Sequence, residues 1–242
     1  MHEDDGSAAA RRATMVEQQI AARGIRDTAV LEAMRRVPRE AFVAADLRAR
    51  ACEDRALPIE DGQTISQPYM VALMLEAAAI RPTDRVLEIG AGSGYASALA
   101  SLLGRQVTAI ERHPTLAAGA RERLARLGYA GVEVHCADGS GGWPAGAPFD
   151  AILVAASGPR VPPVLLEQLA AGGRLVMPVG PSSWSQQLVR ITRRGVDAFD
   201  LAGLGDVRFV PLVGAHGWPP EGECQRLSPS GPSPDGRSRR DR

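Results

Sequence analysis

Residues 85–95 read RVLEIGAGSGY, a short apolar run, then glycine at positions 90, 92 and 94, then the start of a helical stretch. A run of this length bounded by glycine is a buried strand, and the loop that follows stands at its carboxyl end, where open α/β sheets bind ligands. Glycine lets backbone approach a ligand without a Cβ clash, although a tight strand-to-helix turn also selects glycine for steric reasons alone. A dinucleotide fingerprint is Gly-x-Gly-x-x-Gly; here Tyr95 stands where its last glycine belongs. Two further features join the loop. Glu111 ends the next run, roughly twenty residues on, where an acid can accept hydrogen bonds from both ribose hydroxyls of a nucleoside. Asp138 and Gly139 close the third run, placed to meet an adenine edge, although an Asp-Gly turn is also common without a ligand. Together these describe a pocket for an adenosine-containing ligand that lacks a pyrophosphate, of which S-adenosylmethionine is the common one.

Outward from this stretch the runs repeat: QVTAIE at 106–111, VEVHCAD at 132–138, FDAILVAA at 149–156, GRLVMPVG at 173–180, QQLVRIT at 186–192 and VRFVPLVG at 207–214. Helix-length segments at 95–103, 114–127 and 161–171 separate the first five, the pattern of βαβ units in a parallel sheet covered on both faces. The last two runs follow with little helix between them and read as an antiparallel ending. Upstream, Asp27 is a helix N-cap before Val30, Leu31, Met34 and Val37, and Pro38 ends that helix. Residues 68–78 read as a second helix with one apolar face, with Ser66 as its N-cap and Pro68 in its first turn. The first dozen residues and the last fifteen, SPSGPSPDGRSRRDR, are expected to be loose.

Composition narrows the function classes. The chain has 242 residues, 45% of them hydrophobic, with 28 basic residues (all Arg) balanced by 28 acidic ones. That balance leaves no global field to draw the chain onto nucleic acid or an anionic membrane. No apolar run reaches the roughly 20 residues of a membrane span, and the first residues lack a signal-peptide pattern, so a cytoplasmic location is expected. Cys52, Cys136 and Cys224 are far apart with no metal-ligand spacing, so neither a disulfide framework nor a metal site is expected. No Gly-x-Ser-x-Gly elbow surrounds Ser66, which argues against a hydrolytic serine.

The combination of GQTISQP at 62–68, LEIGAGSGY, ADGSGGWP, FDAILVAA, LLEQLAAGGRLVMPVG and RFVPLVG resembles the protein-L-isoaspartate (D-aspartate) O-methyltransferase family, from about Met15 to Gly214. The resemblance implies a Rossmann-like class I S-adenosylmethionine-dependent methyltransferase, with a seven-stranded, mostly parallel sheet, helices on both faces and an N-terminal helical extension. It implies S-adenosyl-L-methionine as cofactor and isoaspartyl-containing proteins and peptides as substrates; no nucleic acid or membrane partner is expected from the charge balance, and a monomer is expected. It further implies Ser66 as the active-site serine, and a cofactor site built from Gln67, Pro68, Tyr69, Met70, Glu88, Gly90, Gly92, Ser93, Gly94, Glu111, Asp138 and Gly139.

The domain reading that follows is a loose segment 1–13, a helical and substrate-side region 14–84, the sheet domain 85–214 and a tail 215–242, disordered from about 228. The tail departs from the family pattern. An isoaspartyl residue leaves its α-carboxylate free with a pKa of roughly 3.3–3.7, so the acceptor is already ionised and needs no general base. A shallow peptide groove is expected near Ser66, residues 154–157 and residues 210–214. Two other readings stay open on the sequence: a related methyltransferase acting on aspartate of a dedicated peptide, and a non-catalytic S-adenosylmethionine-binding protein. A nicotinamide dehydrogenase fits poorly because of Tyr95.

Overall fold

The computed structural model describes residues 3–182 and 184–219. Cys224 and the expected disordered segment from about residue 228 lie outside the described residues. A short antiparallel pair, β1 (Leu57–Pro58) and β2 (Thr64–Ile65), precedes the central sheet in the chain. Seven strands form that sheet: β3 (Arg85–Ile89), β4 (Gln106–Glu111), β5 (Val132–Cys136), β6 (Phe149–Val154), β7 (Leu169–Ser182), β8 (Ser185–Arg193) and β9 (Phe199–Val207). Their order is β5-β4-β3-β6-β7-β8-β9. From β5 to β7 every pairing is parallel, and β7, β8 and β9 pair antiparallel. The chain builds outward from β3 through β4 to β5, then returns to lay β6 on the other side of β3. Strand order therefore reverses between β3 and β6, and the crevice above that point is where such sheets bind ligands.

Period-two alternation divides the core. Val86, Val107, Ala109, Ala151 and Leu153 belong to one buried cluster, whereas Leu87, Ile89, Ile110, Ile152 and Val154 belong to the other. The first cluster is closed by α2 (Thr28–Arg36), α3 (Pro68–Ala78), α4 (Tyr95–Leu103) and α5 (Pro114–Arg126). The second is covered more thinly, by α6 (Pro163–Glu167) and by loop residues such as Leu212. Helix α6 has 5 residues, shorter than the expected 161–171 segment. Prolines at 162 and 163 fix its start, and the chain re-enters the sheet at Leu169, with Gly172 in the left-handed region beside a register shift between β6 and β7.

Three other expectations change. From Glu3 the N-terminal segment is not loose: α1 (Glu3–Thr14) is a helix, with Ala8 buried and Arg12 bonded to the Arg35 carbonyl and to Glu40. Helix α3 is buried nearly all round, not on one face, because it lies between the N-terminal helices and the sheet. The seventh strand is Phe199–Val207, FDLAGLGDV, and not the apolar run at 207–214. Its residues are mostly exposed on both faces at the sheet edge, with Gly205 at a register shift, so it carries no apolar signature. Asp27 does cap α2, accepting from Ala29 N and Val30 N at 2.9 and 3.2 Å. Among the described residues no helix is long and apolar enough to cross a membrane, and no group of His, Cys, Asp or Glu is arranged to hold a metal ion.

The helical face is pinned to the sheet by Arg174 of β7. Its guanidinium donates to the carbonyls of Ala78 and Ala79 at the end of α3 and to the buried Asp84 carboxylate. Ala79 sits in the left-handed region at φ 46°, a conformation these bonds help to hold. Replacing Arg174 with Ala leaves the buried Asp84 carboxylate without its cationic partner, with Arg81 N still donating to it, and takes a donor from two carbonyls. The expected loss is about 3 kcal/mol of unfolding free energy, read by urea denaturation; an unchanged midpoint would show that water replaces the guanidinium.

Candidate active site

A cleft opens above β3 and β6, lined by the glycine loop, the end of β4, residues 63–66, Gly139 and residues 210–213. The loop's conformation is set by β4. Gly90 N and Ala91 N donate to the Ile110 carbonyl at 2.8 and 3.1 Å, and Gly92 N donates to Glu111 Oε2 at 2.9 Å. Gly90, Gly92 and Gly94 all have positive φ, which L side chains rarely adopt. The N–H groups of Gly90, Ala91 and Gly92 are thus engaged within the protein and not offered to a ligand.

Glu111 is buried at the mouth of this loop and also accepts from His113 N at 2.9 Å through Oε1. Each oxygen keeps a further lone pair for a diol. Gly139 closes the floor: a Cβ there would lie 2.7 Å from Ile89 Cγ2, so only glycine permits this approach. Ser93 is buried and lines the cleft. Glu88 is 2% exposed and accepts from Ser97 Oγ. Burial raises its pKa to about 8 against the opposing effect of the Ser97 bond, with the neighbouring Glu111 charge adding to the rise. At neutral pH Glu88 is therefore mostly protonated.

A second, more open groove adjoins the cleft, and Thr64, Ser66, Ala155 and Val210 line both. Its opposite wall is Trp184 with residues 206–209, so the expected groove near Ser66 gains a boundary from the β7–β8 hairpin. Ser66 is not the cap of α3. Gln67 holds that position and makes no side-chain cap bond. Ser66 is instead held through its carbonyl, which accepts from Arg39 Nη2 at 2.7 Å. Arg39 is 0% exposed; its Nε donates to the Ala51 carbonyl at 2.8 Å and its guanidinium lies 4.8 Å from the Tyr95 ring. Sequence reasoning missed Arg39, whose only signal is a guanidinium between Pro38 and an apolar segment.

The other expected cofactor residues divide. Gln67 and Met70 line the open groove. Pro68, Tyr69 and Gly94 do not line the cleft. Pro68 is buried in the first turn of α3, and the Tyr69 ring lies 3.6 Å below the Arg23 guanidinium. Gly94 caps α4, where a Cβ would press on Leu124 at 3.2 Å. Asp138 is turned to the chain beyond Gly214: it accepts from Ser140 N and Ala215 N, both at 2.8 Å. Partial burial alone would raise its pKa, but these bonds, the Ser140 hydroxyl and nearby His216 outweigh it and hold the carboxyl below the ordinary range. His216 N donates to Ser140 Oγ and Trp218 Nε1 to the Ser157 carbonyl, so residues 214–218 form a strap over the site's edge. A Cβ at Gly214 would fall 2.1 Å from Asp138 Oδ1, which explains the glycine.

A parallel sheet reversing beside β3, a glycine loop tied to β4 and an acid at the end of β4 define a class I methyltransferase. The chain belongs to the protein-L-isoaspartate(D-aspartate) O-methyltransferase family, whose model matches residues 10–217. A protein-L-isoaspartate O-methyltransferase of Rhodopseudomonas palustris is 58% identical over 204 residues, covering 84% of this chain and 94% of that one. One from Methylorubrum populi is 58% identical over 211 residues, covering 86% and 99%. Among solved structures, a protein-L-isoaspartate O-methyltransferase superposes with TM-score 0.77 at 28% identity, covering 85% of this chain and 67% of the other. A beta-aspartate methyltransferase structure from Plasmodium falciparum in complex with S-adenosyl-L-homocysteine superposes with TM-score 0.71 at 26% identity, covering 82% and 96%.

The Glu88 environment has a measurable consequence. Between its ordinary value near 4.5 and about 8, the folded state retains a proton that the unfolded chain releases. Stability from this group therefore falls as pH rises through that interval and is level outside it, with a limiting slope of about 1.4 kcal/mol per pH unit. Glu88→Gln removes this dependence, so its melting temperature should rise relative to wild type from pH 5 to pH 8. Parallel melting curves across that range would contradict the protonated state.

Proposed function

We propose that this chain methylates the free α-carboxylate of L-isoaspartyl residues in damaged proteins and peptides, using S-adenosyl-L-methionine. The observation that carries the reading is the position of Ser66, on the boundary between the cleft and the open groove. A methyl donor and a polypeptide acceptor must meet at such a boundary, one enclosed and the other entering from solvent.

The cleft residues fit the cofactor: Tyr95 stands where a dinucleotide loop needs its last glycine, Glu111 has spare acceptor capacity, and Gly139 leaves room beside Ile89. Glu111 would hold the ribose, with Glu88, Gly90, Gly92, Ser93 and Gly139 forming the rest of the pocket. Bound there, S-adenosyl-L-methionine supplies a methyl group activated by its sulfonium. The chain's own part is positioning. Ser66 donates a hydrogen bond to the acceptor carboxylate, and Arg39 fixes Ser66 through its carbonyl, so that the serine's place does not depend on the substrate. The acceptor is ionised well below neutral pH, and no side chain has to remove a proton. Residues 210–213 cover the cleft and exclude water from the reacting charges. The backbone amide nitrogen on the side-chain carbonyl would then attack the methyl ester and expel methanol to give a succinimide, whose hydrolysis returns some normal aspartate.

Equal numbers of acidic and basic residues support a reading in which neither nucleic acid nor a membrane surface is a partner. We further propose a monomer acting in the cytoplasm, with residues 14–84 forming the substrate side and residues 85–214 the cofactor-binding sheet.

The test is transfer of labelled methyl to an isoaspartyl peptide and to its aspartyl twin. Wild type should label the first alone, and Ser66→Ala should lower its kcat by about 10-fold or more, as expected for loss of a hydrogen bond to a charged group. Labelling of both twins equally, or of neither despite cofactor binding, would overturn the proposal.

A further inference from the structure

The open groove has one wall that methyl transfer itself does not require. Trp184, in the turn between β7 and β8, is 79% exposed, and the Arg208 guanidinium lies 4.7 Å from its ring. We propose that the free face of Trp184 is a subsite for an aromatic or large apolar side chain flanking the isoaspartyl residue, so that this chain selects damaged sites by their neighbours. The proposal rests on the reading of Ser66 as the place of the acceptor carboxylate.

Three observations carry it. The first is continuity. The acceptor is part of a polypeptide that advances at most about 3.6 Å per residue, so its neighbours cannot avoid the surface beside Ser66. Ser66 and Trp184 line the same groove. The second is preorganisation. Gln186, buried at the start of β8, accepts from Phe209 N at 2.6 Å and donates to the Phe209 carbonyl at 3.1 Å. That clamp joins the strand after Trp184 to the segment carrying Arg208, so the ring and its guanidinium are held by backbone rather than by substrate. The third is chemistry. A guanidinium over one face of an indole leaves the other for stacking, the geometry that aromatic partners prefer. Arg208 and Asp206 lie in the groove with opposite charges, which favours an uncharged neighbour over an acidic or a basic one.

The test uses isoaspartyl peptides carrying Tyr, Ala or Asp on either side of the isomerised residue, with their aspartyl twins. Wild-type kcat/KM should favour the Tyr peptide over the Ala peptide by about 5-fold, the order expected of one aromatic pair. That ratio should fall toward one in Trp184→Ala and be largely restored in Trp184→Phe. Peptide titrations followed by tryptophan fluorescence give a second reading, because Trp184→Ala leaves only Trp143 and Trp218. A wild-type ratio near one, or a ratio retained in Trp184→Ala, would overturn the subsite. Fluorescence quenching that depends on Trp184 without methylation of any peptide would support the subsite and overturn the repair reading. Absence of both signals would overturn the two together.

Discussion

The donation of Gly90, Ala91 and Gly92 N–H groups to Ile110 and Glu111 is the contact on which the rest of the site depends. It ties the loop after β3 to the end of β4 and fixes its three left-handed glycines. It also takes up three backbone donors at the carboxyl end of β3. The same bonds orient Glu111, because a carboxylate that accepts from the loop and from His113 N cannot rotate away from the cleft. Loop shape and the aim of the acid thus come from one set of hydrogen bonds.

The cleft's outer edge is built on a similar economy. Asp138 holds the strap by accepting from Ala215 N, and Ser140 Oγ accepts from the next residue along. The Asp138–Gly139 turn thereby becomes the anchor of the segment whose preceding residues, 210–213, line the cleft. Arg39 does the corresponding work on the substrate side. A guanidinium that shares its donors between the carbonyls of Ala51 and Ser66 joins the N-terminal block to the residue assigned to the acceptor. The helical extension is therefore a structural part of the active site and not an addition to the sheet.

Much of the fold was legible because its signals are local. RVLEI, QVTAIE and FDAILV are continuous apolar runs, as strands buried on both faces must be, and Asp27 sits where a cap is needed. The failures have physical causes. Strand β9 is an exposed edge with glycines and aspartates, and edge pairing uses backbone groups that no side-chain pattern reveals. The apolar run at 207–214 looked like a strand because lining a cleft selects the same residues. Tyr69 and Gly94 belong to sequence motifs that meet the cofactor site, yet each packs elsewhere, since neighbours in sequence point to different sides of a helix turn.

The sequence by itself determined the sheet class, the glycine loop with its acidic partner and the family, because each rests on residue types at fixed short spacings. Only the tertiary structure decided that Arg39 supports Ser66 across 27 residues, that Asp138 turns to the strap, and that Trp184 faces the groove entered beside Ser66. Those relations join parts of the chain that share no local pattern. They exist only once the sheet has brought its carboxyl edge, its hairpin and its N-terminal helices into contact.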